Sequence, residues 1–201
     1  MKTITLAFSG ASGLPYGLRT LECLLAAGCT VRVVATQAAH IVASQELNEN
    51  WPTRAADLGD YFRRRYAVSD DQQLQVYGQQ EWFAPMAAGS NPGDGMVVVP
   101  CTMGALAAIA GGASDNLLER AADVMIKERK TLILVPREMP YSALHLENML
   151  KLARLGVVIM PPNPGFYHHP KDIGDLVDFV VARILDQLAI PHQLMQRWGA
   201  A

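Results

Sequence analysis

The stretch TITLAFSGASGLPYG, Thr3 to Gly17, decides the fold. Thr3–Phe8 is a short, nearly all-apolar run, followed at once by a glycine-bearing turn and then by Pro15, a residue suited to the first turn of a helix. A strand that is apolar at almost every position must be covered on both faces, so a parallel sheet is expected rather than a half-exposed antiparallel one. The same pattern returns at Thr30–Ala35, Met96–Pro100, Thr131–Val135 and Val157–Met160. Between these runs the spacing predicts helices near Pro15–Ala27, Gln37–Asn48, Gly104–Ala110, Asn116–Lys127 and Ser142–Leu155, with a last one at Lys171–Leu188. Strands alternating with helices mean right-handed βαβ units.

The fold class that follows is α/β, a three-layer doubly wound parallel sheet of the Rossmann-like or flavodoxin-like kind. Its 201 residues suit a single domain over 1–201. One segment, about 49–95, is too long for an ordinary crossover and reads as an insertion serving as a lid or subunit contact, and a tail begins at about 189. A net charge of -2 provides no basic field for nucleic acid. No apolar run is long enough to span a bilayer and no signal peptide is evident, so a cytoplasmic location is the expectation. Cys23, Cys29 and Cys101 lack CxxC spacing, which points to reduced thiols rather than a disulfide or zinc framework.

Ligands of such sheets bind beyond the carboxyl ends of the strands, where the Gly10–Gly13 turn falls. A dinucleotide fingerprint would read GxGxxG with a carboxylate about 20 residues on. Here the glycines are 10, 13 and 17, and the second strand ends at Thr36-Gln37, which counts against NAD. The loop does not end in GK[ST] either, which excludes a nucleoside-triphosphate loop. With Ser12 and Thr36 as hydroxyls, the turn suits a mononucleotide such as FMN. Equally, the glycines could merely permit a tight strand-to-helix turn.

Four more stretches resolve the question: VVVPCTMGALA (97–107), LLERAADVMIKERK (117–130), LVPREMPYSALHLENMLKLARLG (134–156) and PNPGFYHHP (162–170). Together with SGASG they closely resemble the UbiX-like flavin prenyltransferases, from about Ile4 to Trp198 and least within 49–95. The resemblance implies an enzyme that binds reduced FMN and joins a dimethylallyl group from dimethylallyl phosphate to flavin N5 and C6. The prenylated FMN would serve UbiD-like decarboxylases. The resemblance also implies a homododecamer built from trimers.

Carried onto matching positions, the resemblance assigns Gly10, Ala11, Ser12 and Thr36 to the flavin and its phosphate arm. Thr102, Met103, Gly104 and Ala105 cradle it, with Arg137 nearby. The donor's phosphate maps to Arg120, Lys127, Tyr167 and Arg183, part of it across a subunit boundary, with Trp198 and Trp82 around the prenyl group. Arginine's bidentate fork and a tyrosine hydroxyl suit a phosphate. Arg120 and Lys127 are two turns apart on one helix face, although a basic run at a helix C-terminus also complements the helix dipole. Ser12, Glu46 and Glu138 are the groups expected to move protons, with Lys127 also in the catalytic set, and Glu138 could instead pair with Arg137. Asp70-Asp71 lacks the DDxxD spacing of magnesium-dependent prenyltransferases, so no metal is expected. Ala87-Ala88-Gly89-Ser90 stands where many relatives read ASGS, removing a hydroxyl, and Thr102 replaces a common serine. The rival readings are a flavin-dependent cysteine decarboxylase, whose turn resembles PASANT, a flavodoxin-like electron carrier, and an accessory subunit that stores flavin.

Overall fold

The computed structural model describes residues 1–196 and Gly199. Its six strands are β1 (Thr3–Phe8), β2 (Thr30–Ala35), β3 (Leu74–Tyr77), β4 (Gly95–Cys101), β5 (Thr131–Pro136) and β6 (Val158–Ile159). They form one parallel sheet in the order β3-β2-β1-β4-β5-β6. The chain winds outward from β1 to β3 and returns to β4, which places the switch point between β1 and β4. Among the described residues seven α-helices accompany the strands: α1 (Leu14–Ala26), α2 (Gln37–Leu47), α3 (Ala55–Arg65), α4 (Met103–Gly111), α5 (Leu117–Lys127), α6 (Ala143–Arg154) and α7 (Ile173–Gln187).

The strand residues divide by parity into two cores, because successive side chains of a strand leave on opposite faces. Ile4, Leu6 and Phe8 of β1, with Val31 and Val33 of β2, pack under α1, α3 and α7. Ala7, Val34, Met96, Val98, Leu132 and Leu134 pack under α4, α5 and α6. α1 fits closely because Gly17 has no side chain: a Cβ there would sit 2.5 Å from the Val99 carbonyl of β4.

The segment expected as an insertion partly continues the rhythm instead. Residues 55–65 form α3, and Leu74–Tyr77 form β3, which pairs in parallel with β2 from Val31↔Leu74 to Val34↔Tyr77. Phe62 anchors α3, its ring centroid 5.2 Å from Trp51 and 6.2 Å from Phe8. Such edge-on pairs add about 0.5–1.5 kcal/mol each beyond the area they bury. The β3 run LQVY is only four residues long and gives little strand signal, which is why spacing alone passed over it. Residues 78–94 have no helix beyond the 3₁₀ turn Pro85–Ala87, yet they cover the sheet where a crossover helix would lie, with Ala84 and Met86 buried in the second core. No helix among the described residues is long and apolar enough to cross a membrane.

Candidate active site

Three helices begin beyond the carboxyl ends of the adjacent strands β2, β1 and β4. Thr36 caps α2 by accepting from the Ala39 N–H at 3.2 Å, and Thr102 caps α4 by accepting from Ala105 N–H at 3.0 Å. Ser9, directly after β1, ties two of these turns together. It is 1% exposed, donates its hydroxyl to the Pro100 carbonyl at 2.9 Å and accepts from Thr102 N–H at 2.8 Å. Sequence reasoning missed Ser9; a hydroxyl in an otherwise apolar strand end was the available signal. Gly10 permits α2 to approach, because a Cβ there would run into Ala38.

This arrangement leaves several backbone donors without an acceptor. Among the described residues, the N–H groups of Gly10, Ala11, Ser12, Gln37, Met103 and Gly104 meet no protein oxygen. Orphan donors at helix starts, reinforced by the positive ends of helix dipoles, form a site for an anion or for the carbonyls of a polar ring. Ser12 is exposed and its hydroxyl has no protein partner. Arg137 follows β5 beside the cradle, its N–H donating to the Cys101 carbonyl at 3.2 Å and its side chain exposed. Cys101, wholly buried beneath, has its thiol pushed up to about 12 by desolvation and is no nucleophile.

Glu46 has a position that spacing did not suggest. Its carboxylate reaches from α2 to the start of α1 and accepts from Gly13 N–H at 3.0 Å and Leu14 N–H at 3.1 Å. α1 lacks a side-chain cap of its own, with Gly13 at φ 114, so Glu46 supplies the acceptor and the negative charge that its N-terminus favours. The expectation that this helix start offers its donors to a phosphate is therefore narrowed: Gly13 and Leu14 are taken, and Gly10, Ala11 and Ser12 remain.

The residues expected to hold a donor phosphate do not meet within one chain. Arg120 and Lys127 share one face of α5 as the seven-residue spacing predicts. Arg120 Nε donates to the Ala87 carbonyl at 3.0 Å and its Nη1 pairs with Asp123 at 2.7 Å, while Lys127 pairs with Glu128. Tyr167 and Arg183 belong to the other side of the sheet. The Tyr167 ring packs 5.8 Å from Phe179 on α7, one turn before Arg183, which pairs with Asp186 at 2.5 Å. Glu138 is half-buried, accepts from the Met139 N–H at 3.3 Å and forms no ion pair with Arg137. Trp82 is 44% exposed and Phe83 beside it fully so. His168 stacks on Phe179 at 5.2 Å instead of standing in solvent. Asp70 is a turn residue, accepting from Gln72 N–H at 2.9 Å. Trp198 lies outside the described residues.

Residues 1–185 match the Flavoprotein family. The flavin prenyltransferase UbiX of Pseudomonas aeruginosa is 50% identical over 98% of this chain and 93% of its own length. That of Methanocaldococcus jannaschii is 42% identical over 98% of both. Among solved structures, AnUbiX in complex with FMN and dimethylallyl pyrophosphate superposes with a TM-score of 0.86 at 36% identity, covering 100% of this chain and 98% of that one. A dodecameric FMN-dependent UbiX-like decarboxylase from Escherichia coli O157:H7 gives 0.83 at 39% identity, each chain covered completely. The cysteine decarboxylase side of the fold is more distant: the epidermin biosynthesis protein EpiD of Staphylococcus aureus gives 0.53 at 18% identity, a likeness of fold alone.

Proposed function

We infer the reaction from one premise: the chain belongs to the Flavoprotein family and, within it, to the UbiX-like flavin prenyltransferases. It is a transferase that joins a dimethylallyl group to N5 and C6 of reduced FMN, with dimethylallyl phosphate as donor and prenylated FMN as product. The observation that carries this reading to individual residues is the set of unsatisfied N–H donors at the ends of β1, β2 and β4, in a cradle that Gly10 keeps open.

Gly10, Ala11, Ser12, Thr36 and the Thr102–Ala105 turn would hold FMN, with Arg137 adding positive charge at the rim. Bound there in reduced form, FMN supplies the nucleophilic nitrogen and ring carbon. Arg120, Lys127, Tyr167 and Arg183 bind the donor's phosphate and take up its charge as the allylic C–O bond breaks; preorganised cations and donors stabilise such developing charge at no reorganisation cost. We assign the step as metal-independent, since these side chains do for a monophosphate what magnesium does for a diphosphate. Glu46, which accepts from the N–H of Gly13, the residue after Ser12, and Glu138 at the rim are the carboxylates we assign to proton transfer, with Ser12 as a relay.

The division of the phosphate-binding residues between two sides of the sheet supports a site completed by another copy of the chain. We therefore propose a homododecamer, as described for the Escherichia coli relative. Delivery of the product to a UbiD-like decarboxylase, a cytoplasmic location, and a subunit-contact role for the exposed Trp82–Phe83 portion of 49–95 belong to the same reading. Anaerobic incubation of the protein with reduced FMN and dimethylallyl phosphate, followed by mass analysis of the flavin, tests it. A gain of one prenyl unit is expected, lost in Lys127→Met, and an unchanged flavin mass overturns the reading.

A further inference from the structure

Arg32 is an arginine of the sheet interior that forms no ion pair with a carboxylate among the described residues. It lies on β2, is 9% exposed and faces the same side as α5, since its neighbours Val31 and Val33 belong to the other core. Its Nη1 donates to the Asn91 carbonyl at 3.0 Å and its Nη2 to Asn91 Oδ1 at 3.3 Å, while Nε meets no acceptor among the described residues. Burying a cation is costly unless polar partners replace its water. Here both acceptors among the described residues belong to Asn91, so the charge holds that residue in place.

Asn91 sits in the irregular crossover 78–94, which has no helix to stiffen it. Its N–H donates to the Ala88 carbonyl at 3.1 Å. One residue earlier, the Ala87 carbonyl seats Arg120 Nε at 3.0 Å. One residue later, Gly89 lies so close to α5 that a Cβ would stand 2.6 Å from Lys127 Nζ. A continuous set of contacts thus runs from Arg32 through Asn91 to the backbone against which Arg120 and Lys127 are held.

We propose that Arg32 is a positioning residue for the donor phosphate: by gripping Asn91 it fixes residues 87–91, and through them the side chains of Arg120 and Lys127. The inference rests on the assignment of Arg120 and Lys127 to that phosphate. It predicts a selective defect, because the Gly10–Ser12 and Thr102–Ala105 turns of the flavin cradle hang on other elements, and Thr36, past the end of β2, is held as the cap of α2 and not by residues 87–91.

The test is steady-state kinetics on Arg32→Met, Arg32→Lys and Asn91→Asp, with FMN binding, thermal melting and amide hydrogen exchange measured alongside. Arg32→Met should raise KM for dimethylallyl phosphate about tenfold while the Kd for FMN stays within about twofold. Arg32→Lys should fall between, and Asn91→Asp, which keeps both acceptors, should stay near the parent. Exchange of the amides at 87–91 should quicken in Arg32→Met with the melting temperature little changed. If Arg32→Met lowers melting and weakens FMN and donor together, or leaves KM unchanged, the proposal is overturned. Should that variant fail to fold, Asn91→Ala takes its place with the same expected split. Arg120→Met separates the two readings: if it raises KM and Arg32→Met does not, the positioning role alone falls, and if it leaves KM unchanged, the phosphate assignment falls with it.

Discussion

Glu46 combines a structural and a chemical position in a single carboxylate. It accepts from the N–H groups of Gly13 and Leu14 at the start of α1, next in the chain to Ser12, whose hydroxyl bonds to no group among the described residues. Glu46→Gln keeps an acceptor oxygen for the helix and removes the charge and the proton-carrying capacity. The expected outcome is a protein that melts close to the parent and binds FMN, yet forms prenylated flavin about 10²-fold more slowly in an anaerobic single-turnover assay. Parental turnover would remove Glu46 from the chemistry and leave it as a cap. Ser9 is the converse case, a buried group whose two hydrogen bonds both go to the backbone at the end of β4. Ser9→Ala strands the Thr102 N–H and Pro100 carbonyl, and chemical denaturation should show a loss of about 1–3 kcal/mol. Gly10, Ser12 and Thr36 stood out in the sequence as glycine and hydroxyl types at strand ends, whereas Ala11 and Thr102–Ala105 entered through the family resemblance. The cap made by Glu46 was not legible, since nothing in the spacing of 33 residues between it and Gly13 signals contact.

At the scale of elements, the connection from α2 to α3 is secured by Glu49. Burial alone would raise its carboxyl pKa, but Arg65 at 2.6 Å, Trp51 Nε1 at 3.0 Å and the Tyr61 hydroxyl at 2.8 Å favour the ionised form and hold it below the usual carboxylate range. A carboxyl depressed in the folded state adds stability above its unfolded pKa, and that contribution is lost as pH falls through the folded value. Thermal melts from neutral pH into the acid range should therefore show a steeper decline for the parent than for Glu49→Gln, and parallel curves would refute the assignment. The elements themselves were read well where apolar runs were long: β1, β2, α2 and α5 begin or end within a residue of expectation. β3 and α3 were passed over because a four-residue edge strand and a charge-rich helix carry their signal in partners, Phe8, Trp51 and β2, that lie elsewhere in the chain.

At the scale of the molecule, α5 and α7 lie on opposite sides of the sheet. On the proposed assignment, Arg120 and Lys127 are therefore separated from Tyr167 and Arg183 within one chain, and the phosphate site is completed by a second copy. Exposed Met139, Leu144, Leu146, Leu150 and Phe166 provide apolar surface for such assembly. Lys127→Met and Arg183→Met proteins should each be inactive. When dissociated, mixed in equal amounts and reassembled, about a quarter of the sites would regain both intact residues by random association, and activity should return in proportion. No recovery on mixing would place all four residues in one chain's site.

The sequence by itself determined the sheet, its parallel sense and the strand ends where the ligand belongs, because apolar periodicity and the demand for glycine and capping hydroxyls act over a few residues. Its VPRE, HLENML and GFYH stretches also carried the family resemblance. Only the tertiary structure decided which donors stay free, that Glu46 caps α1, that Arg32 grips Asn91, and that the residues proposed for the phosphate are split between two sides of the sheet. Those features depend on contacts between residues distant in the chain, and the energetics of burying a charge or an N–H are fixed by what the fold brings beside it.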